Sequence, residues 1–121
     1  MRILHNLSKE ARRQLIDVLL RKRTKSELAH QIGVTPAAMS KYLRGITHPS
    51  DEVLGRLVEV ADDEEREEIK QIILNDVAKS LREFLEAEEV KEAEELLLKV
   101  ERRLNSLRVR REDIQYRVQG I

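Results

Sequence analysis

Few residues in this 121-residue chain could carry out catalysis or bind a metal. His5, His30 and His48 lack the spacing of metal ligands, and no cysteine is present to complete a zinc site or to act as a nucleophile. Glutamates cluster at 64–68 and 86–95, but basic partners four positions away are typical of a solvated helix face. No glycine-rich phosphate loop and no Ser-His-Asp set occurs. We therefore expect no enzymatic activity, no metal and no cofactor.

The charged residues are distributed in a way that suits binding to a polyanion. Residues 1–50 carry ten Lys/Arg against three Asp/Glu, residues 51–101 carry seven against eighteen, and residues 102–121 carry six against two. The net charge of zero conceals this segregation. A basic N-terminal segment has the sign that a nucleic-acid backbone requires. Because a basic patch also suits an ordinary solvated surface, the motif inside it must decide.

Nothing in the sequence predicts association with a membrane. The opening MRILHNLSKE is too short and too early charged for a signal peptide. The longest apolar runs are three or four residues, as at 72–74 and 96–98. We expect a cytoplasmic protein.

Capping residues divide the N-terminal half into four short helices, at about 8–23, 24–32, 35–44 and 50–61. Each begins at a hydroxyl residue that can accept a bond from a free amide of the first turn. These N-caps are Ser8, Thr24, Thr35 and Ser50. Thr24 and Glu27 form a capping box, and Pro36 takes the first helical position of the third helix. Gly33 and Gly45 end the second and third helices, where a left-handed backbone costs glycine little.

The second and third helices together have the pattern of a helix-turn-helix, in the stretch KSELAHQIGVTPAAMSKYLRG at 25–45. Two short helices that cross over a tight turn need a small residue at the crossing and a glycine in the turn. Ala29 is the small residue, and Gly33 follows four positions later. The inward positions are apolar: Leu28, Ile32, Val34, Met39 and Tyr42.

This arrangement resembles the helix-turn-helix of the Cro/CI repressor type, also called the XRE family. The resemblance covers roughly residues 8–62 and implies that the third helix lies in the major groove of DNA. It places Pro36, Ala37, Ser40 and Lys41 at base edges, and Lys25, Ser26, Thr35 and Arg44 against the DNA backbone. Lys41 can donate to guanine, while Pro36 and Ala37 can contact a thymine methyl. Family members often have long amides where this chain has Pro36 and Ala37, so DNA shape should contribute more to specificity.

The C-terminal half reads as helix from 62 to about 111, without glycine or proline. Two heptad series, 74–84 and 90–107, are out of phase, which predicts a break near 86–89. The second series predicts a dimer seam formed by Val90, Ala93, Leu97, Val100, Leu104 and Leu107. For 112–121 two interpretations stay open: a short strand or hairpin, because Ile114, Tyr116 and Val118 alternate, or a continued helix.

The sequence thus predicts an all-α protein with a lambda-repressor-like helix-turn-helix domain at 1–62 and a helical dimerisation arm at 63–121. The predicted function is sequence-specific binding of double-stranded DNA by a homodimer that regulates transcription, most simply as a repressor. Two alternatives stay open: an antitoxin-like DNA-binding subunit whose arm binds a protein partner, and a protein that organises or segregates DNA.

Overall fold

The regular elements of the described chain are all helices. The computed structural model describes residues 1–87, 92 and 94–106. A short 3-10 helix (Arg2–Asn6) precedes α1 (Lys9–Leu20), α2 (Lys25–Ile32), α3 (Pro36–Leu43), α4 (Asp51–Val60) and α5 (Asp63–Ala87). Residues 94–106 are helical as well. The predicted all-α fold is confirmed for this part of the chain.

The chain divides into two compact units, Met1–Leu81 and Arg82–Ile121. Several sequence predictions lie outside the described residues. They are the strand or helix at 112–121, the part of the predicted break beyond Ala87, and Val90, Ala93 and Leu107 of the predicted seam.

Each of the four predicted helix starts is confirmed by a side-chain cap. The amides three positions on donate to the capping hydroxyls over 3.0–3.2 Å, from Ala11 to Ser8, Glu27 to Thr24, Ala38 to Thr35 and Val53 to Ser50. Such a cap stabilises a helix by about 1 kcal/mol. The first helix ends at Leu20, earlier than the predicted residue 23, because Thr24 is extended and the chain needs residues 21–23 to turn.

All five α-helices contribute to one apolar core. Its fully buried side chains include Leu15, Ile16, Leu19, Leu28, Ile32, Met39, Leu54, Leu57 and Ile69. Met39 is the buried member from α3, and Ile69 and Ile73 come from α5. The core of the first unit therefore extends beyond the four N-terminal helices to the first turns of α5.

Polar contacts near both ends of α1 hold the N-terminal half of α5 antiparallel to it. At one end, the backbone amide and the hydroxyl of Ser8 donate to Asp76 over 2.9 and 2.5 Å. At the other end, Arg23 donates to Glu65. We call the contacts between residues 21–23 and residues 62–68 the α1–α5 seam.

Candidate DNA-binding surface

The turn between α2 and α3 has the backbone conformation that the sequence predicts. Gly33 has a φ of +70°, which strains any residue with a Cβ atom. The amide of Val34 donates to the carbonyl of Ala29 over 2.9 Å, and that of Gly33 donates to His30 over 3.3 Å. These bonds satisfy carbonyls at the end of α2 and direct the chain into α3.

The predicted inward residues of the motif do face the core. Leu28, Ile32 and Met39 are buried, and Val34 and Tyr42 are partly buried against the core. Ala29 is buried as well, as expected for the small residue at a helix crossing. A side chain larger than a methyl group at this position would push the two helices apart.

Arg56 of α4 supports this turn, a contact that sequence reasoning missed. Its Nε donates to the carbonyl of Ile32 over 2.8 Å, and Glu52 accepts from its Nη1 over 3.1 Å. The guanidinium atoms lie 3.6–3.8 Å from the point where a Cβ of Gly33 would be. The end of α2 is thus held by α4 as well as by its own glycine.

The eight residues predicted to contact DNA are all exposed. The four predicted base-reading positions occupy α3 at successive intervals of one, three and one residues, which places them on one side of the helix, opposite the buried Met39. Lys25 and Ser26 form the first turn of α2, and Thr35 caps α3. Arg44 follows directly after α3. We call this set the α2–α3 surface: Lys25, Ser26, Thr35, Pro36, Ala37, Ser40, Lys41 and Arg44.

The cations of the α2–α3 surface are available to an anion. Among the described residues, no acidic side chain forms an ion pair with Lys25, Lys41 or Arg44. The amide groups of a helix N-terminus also favour an anion, and the N-termini of α2 and α3 both belong to this surface. Exposed cations beside helix N-termini suit the phosphate groups of a nucleic acid.

The comparison with known families agrees with this geometry. Residues 13–62 match the family model described as Helix-turn-helix. Residues 13–62 therefore form a helix-turn-helix domain of the XRE type. This family consists of DNA-binding transcriptional regulators and not of enzymes, so the helix-turn-helix domain implies DNA binding for this chain. No curated protein and no solved structure matches the chain significantly.

Beside the helix-turn-helix domain, the α1–α5 seam contains a buried ion pair. Glu65 is 2% exposed and accepts from Arg23 Nη1 over 2.7 Å and from Nη2 over 3.2 Å. Arg23 also donates to the carbonyl of Leu19. The bonds from Arg23 are the largest cause that lowers the pKa of Glu65 below its ordinary value. The expectation that the 64–68 glutamates are all solvated is therefore wrong for Glu65.

Glu65 also forms a capping box with Asp62 at the start of α5. The amide of Glu65 donates to Asp62 Oδ1 over 2.8 Å, and the amide of Asp62 donates to Glu65 Oε1 over 3.0 Å. Lys22 donates to Asp62 Oδ2 over 2.7 Å, and this bond is the first cause that lowers the pKa of Asp62. The pattern Asp-x-x-Glu at 62–65 was present in the sequence and could have identified this helix start.

Arg12 organises the opposite end of α1. Its guanidinium donates to the carbonyls of Leu4 over 3.0 Å and Pro49 over 2.9 Å, and to Asp51 Oδ1 over 2.9 Å. The hydrogen bond with His5 is the largest cause that lowers the pKa of Asp51, and the hydrogen bond from Arg12 is the second largest. Arg12 therefore adds to the basic charge of the segment 1–50 without being available to a nucleic acid.

The described members of the predicted dimer seam lie on the helical segment 94–106. Val100 is 46% and Leu104 is 38% exposed, and Leu97 is half-buried. Among the described residues, no group of three or more His, Cys, Asp or Glu could hold a metal ion. Within the same residues, no helix combines the length and the apolar character needed to cross a membrane.

Proposed function

We propose that this protein is a sequence-specific transcriptional regulator, most simply a repressor, that binds double-stranded DNA as a homodimer. The observation that carries the proposal is the α2–α3 surface, where exposed cations that form no ion pair with the described acidic residues lie beside the N-termini of two helices. In the proposed complex α3 lies in the major groove and α2 lies against the backbone. A repressor of this kind acts by occupying the promoter.

The proposed roles follow from the chemistry of each side chain. Lys41 donates to O6 and N7 of guanine, and Ser40 bonds to either kind of base edge. Pro36 and Ala37 contact a thymine methyl group. Lys25, Ser26, Thr35 and Arg44 bind phosphates and set the position of α3.

Few of these side chains can read bases by hydrogen bonds. Pro36 and Ala37 offer apolar contact only, so Ser40 and Lys41 supply the polar contacts from α3. We therefore infer that the shape and deformability of the DNA supply a substantial share of the specificity.

Residues 1–62 contain the DNA-contacting surface, and residues 63–121 form the dimerisation arm. One small domain buries a modest area on DNA, whereas two domains on a two-fold axis double the contacts and define the half-site spacing. The exposed Val100 and Leu104, with Leu97, support pairing through the arm, because apolar side chains in a heptad row gain most from a second helix.

Selection of bound fragments from a random DNA pool tests the DNA-binding part of this proposal. We expect a two-fold symmetric consensus with a fixed distance between half-sites. Recovery of fragments without a common sequence, with affinity set by salt alone, would favour the alternative of a DNA-organising protein.

Sedimentation of the intact chain tests the dimer. We expect a dimer for the parent and a monomer for Leu97→Asp with Leu104→Asp, because the two charges enter an apolar seam. Binding to the selected site should weaken by about 10²–10⁴-fold, since the second domain no longer binds intramolecularly.

The matched control is Asn105→Asp with Ser106→Asp, which adds the same charge outside the row and should stay dimeric. A monomeric parent, or a dimeric Leu97/Leu104 variant, would contradict the arm as dimer seam. A parent that sediments as a monomer and co-purifies with another protein would favour the antitoxin-like alternative.

A further inference from the structure

Three consecutive cations lie just before the α2–α3 surface. Residues 21–23 are Arg-Lys-Arg, and Thr24, the N-cap of α2, follows them directly. Lys25 and Ser26 come next in the first turn of α2. Arg23 and Lys25 are two positions apart, and because consecutive Cα atoms are about 3.8 Å apart, their Cα atoms lie at most about 7.6 Å from each other. By position and charge the triplet would extend the proposed phosphate contacts.

The start of α5 pairs each of these cations with a carboxylate. Arg21 pairs with Glu68, and Lys22 pairs with Glu64 over 3.3 Å as well as with Asp62. Arg23 pairs with the buried Glu65. The triplet therefore lies next to the α2–α3 surface in the chain, but its cations are paired with carboxylates. Lys25, Lys41 and Arg44 form no ion pair with the described acidic residues.

We propose that the acidic start of α5 masks the 21–23 triplet from DNA and so limits the cations that bind DNA to the α2–α3 surface. This inference rests on the proposed function and adds a means by which the protein limits non-specific binding. Non-specific affinity depends on the number of phosphates that cations neutralise. A phosphate that approaches the triplet meets carboxylates that already occupy its cations and repel a second anion.

The charge balance of the first unit supports this role. Residues 1–81 contain fourteen Lys/Arg and thirteen Asp/Glu. With so little net charge, attraction to DNA depends on where the unpaired cations lie rather than on their total number. Because the triplet is masked, a larger share of the attraction to DNA comes from the α2–α3 surface.

Two of the masking carboxylates lie outside the capping box and the buried ion pair. Asp62 and Glu65 form the capping box and the buried ion pair, so changing them would disturb the helix start. The side chains of Glu64 and Glu68 are 76% and 40% accessible, and the bonds found for them among the described residues are those to Lys22 and Arg21. Substitution of Glu64 and Glu68 therefore tests masking while the capping box and the buried ion pair are kept.

The test is Glu64→Gln with Glu68→Gln in the full-length chain, with binding to a duplex of arbitrary sequence measured by fluorescence anisotropy over a salt series. We expect about threefold to tenfold tighter binding at low salt and a salt dependence steeper by about one, since Arg21 loses its carboxylate partner and can neutralise one more phosphate, whereas Lys22 keeps its bond to Asp62. The ratio of specific to non-specific affinity should fall. Thermal unfolding followed by circular dichroism should show that the fold is retained.

The matched control is Glu83→Gln with Glu86→Gln, which changes the net charge equally at exposed positions further along α5. We expect a much smaller gain for this pair. Equal gains in the two double variants would overturn masking in favour of a net-charge effect. No gain in the Glu64/Glu68 variant would also overturn it.

Removal of the cations, alone and together with the Glu64/Glu68 substitutions, completes a mutant cycle. Arg21→Gln with Lys22→Gln should change non-specific binding little in the parent, where these cations are masked, but should abolish the gain in the Glu64/Glu68 background. A large loss in the parent would contradict masking. A parent that selects no DNA sequence would instead contradict the proposed function, and that result is distinguishable because it does not depend on residues 21–23.

Discussion

The α2–α3 surface and the α1–α5 seam contain the same kinds of basic residue, but only those of the seam form ion pairs with the described acidic residues. Lys25, Lys41 and Arg44 are exposed and form no ion pair with the described acidic residues, whereas Arg23 is held by Glu65 and Lys22 by Asp62 and Glu64. In the linear sequence both sets belong to one basic segment, 1–50. The charge of a segment alone therefore does not identify a DNA-binding surface, because folding decides which cations remain available.

The seam also shows two kinds of ion pair in one place. Arg23 and Glu65 are largely removed from water, so their attraction acts at short range in a medium that screens it little. Arg21 and Glu68 remain largely accessible, so water and salt weaken their attraction. Two arginines that are only two positions apart should therefore contribute very differently to stability.

The largest expected effect comes from breaking the buried pair. Arg23→Ala leaves the carboxylate of Glu65 buried without its partner, and the free energy of unfolding should fall by about 3–5 kcal/mol. The control Arg21→Ala removes an exposed pair and should cost about 1 kcal/mol or less. Chemical denaturation of both variants measures the difference. Equal costs would mean that burial does not distinguish the two pairs.

The second prediction concerns the helix crossing beneath the α2–α3 surface. Ala29→Leu places a large side chain where the structure has a buried methyl group, and it should destabilise the first unit by about 1–3 kcal/mol. DNA binding should be lost, because α2 and α3 are displaced relative to each other. A variant that melts and binds like the parent would contradict the crossing. The control is His30→Leu at the exposed neighbouring position.

The third prediction separates base reading from phosphate binding on the α2–α3 surface. Lys41→Ala should cost about 1–3 kcal/mol on the selected site and relax the preference at one base pair. Arg44→Ala should weaken all sequences alike and make the salt dependence shallower by about one. The control Lys79→Ala removes an exposed cation of α5. If Lys41→Ala and Arg44→Ala bind as the control does, the groove assignment is wrong.

The smallest expected effect is the pH dependence of the seam. The pKa values of Glu65 and Asp62 are lowered in the folded state, so both carboxylates bind protons more readily in the unfolded chain. Their contribution to stability is therefore complete above their ordinary pKa of about 4 and is lost as the pH falls through the lowered values. Thermal unfolding over this acid range should show a falling midpoint.

The control for the pH dependence is Glu65→Gln. This variant removes one of the two titrating groups, so its midpoint should change less with pH than that of the parent. An unchanged pH dependence would place the acid sensitivity elsewhere in the chain.

The features that depend on residues close together in the chain could be predicted from the sequence. The four N-caps bond to amides three positions away, and the left-handed Gly33 follows from backbone sterics at a single residue. The amphipathic pattern of α2 and α3 identified which side faces the core. Because these interactions are local, the helix-turn-helix and the exposed face of α3 could be predicted without coordinates.

The partners of residues 21–23 became apparent only in the tertiary structure. Arg23 and Glu65 are separated by 42 positions, and although the pattern Asp-x-x-Glu marks Glu65 as a capping residue, nothing in the neighbourhood of either residue indicates that the two form a pair. The pair is selected by packing, because Ile69 and Ile73 enter the core and bring the start of α5 against the end of α1. Charges act through space, so which cations stay available for DNA is decided only when α5 lies on α1.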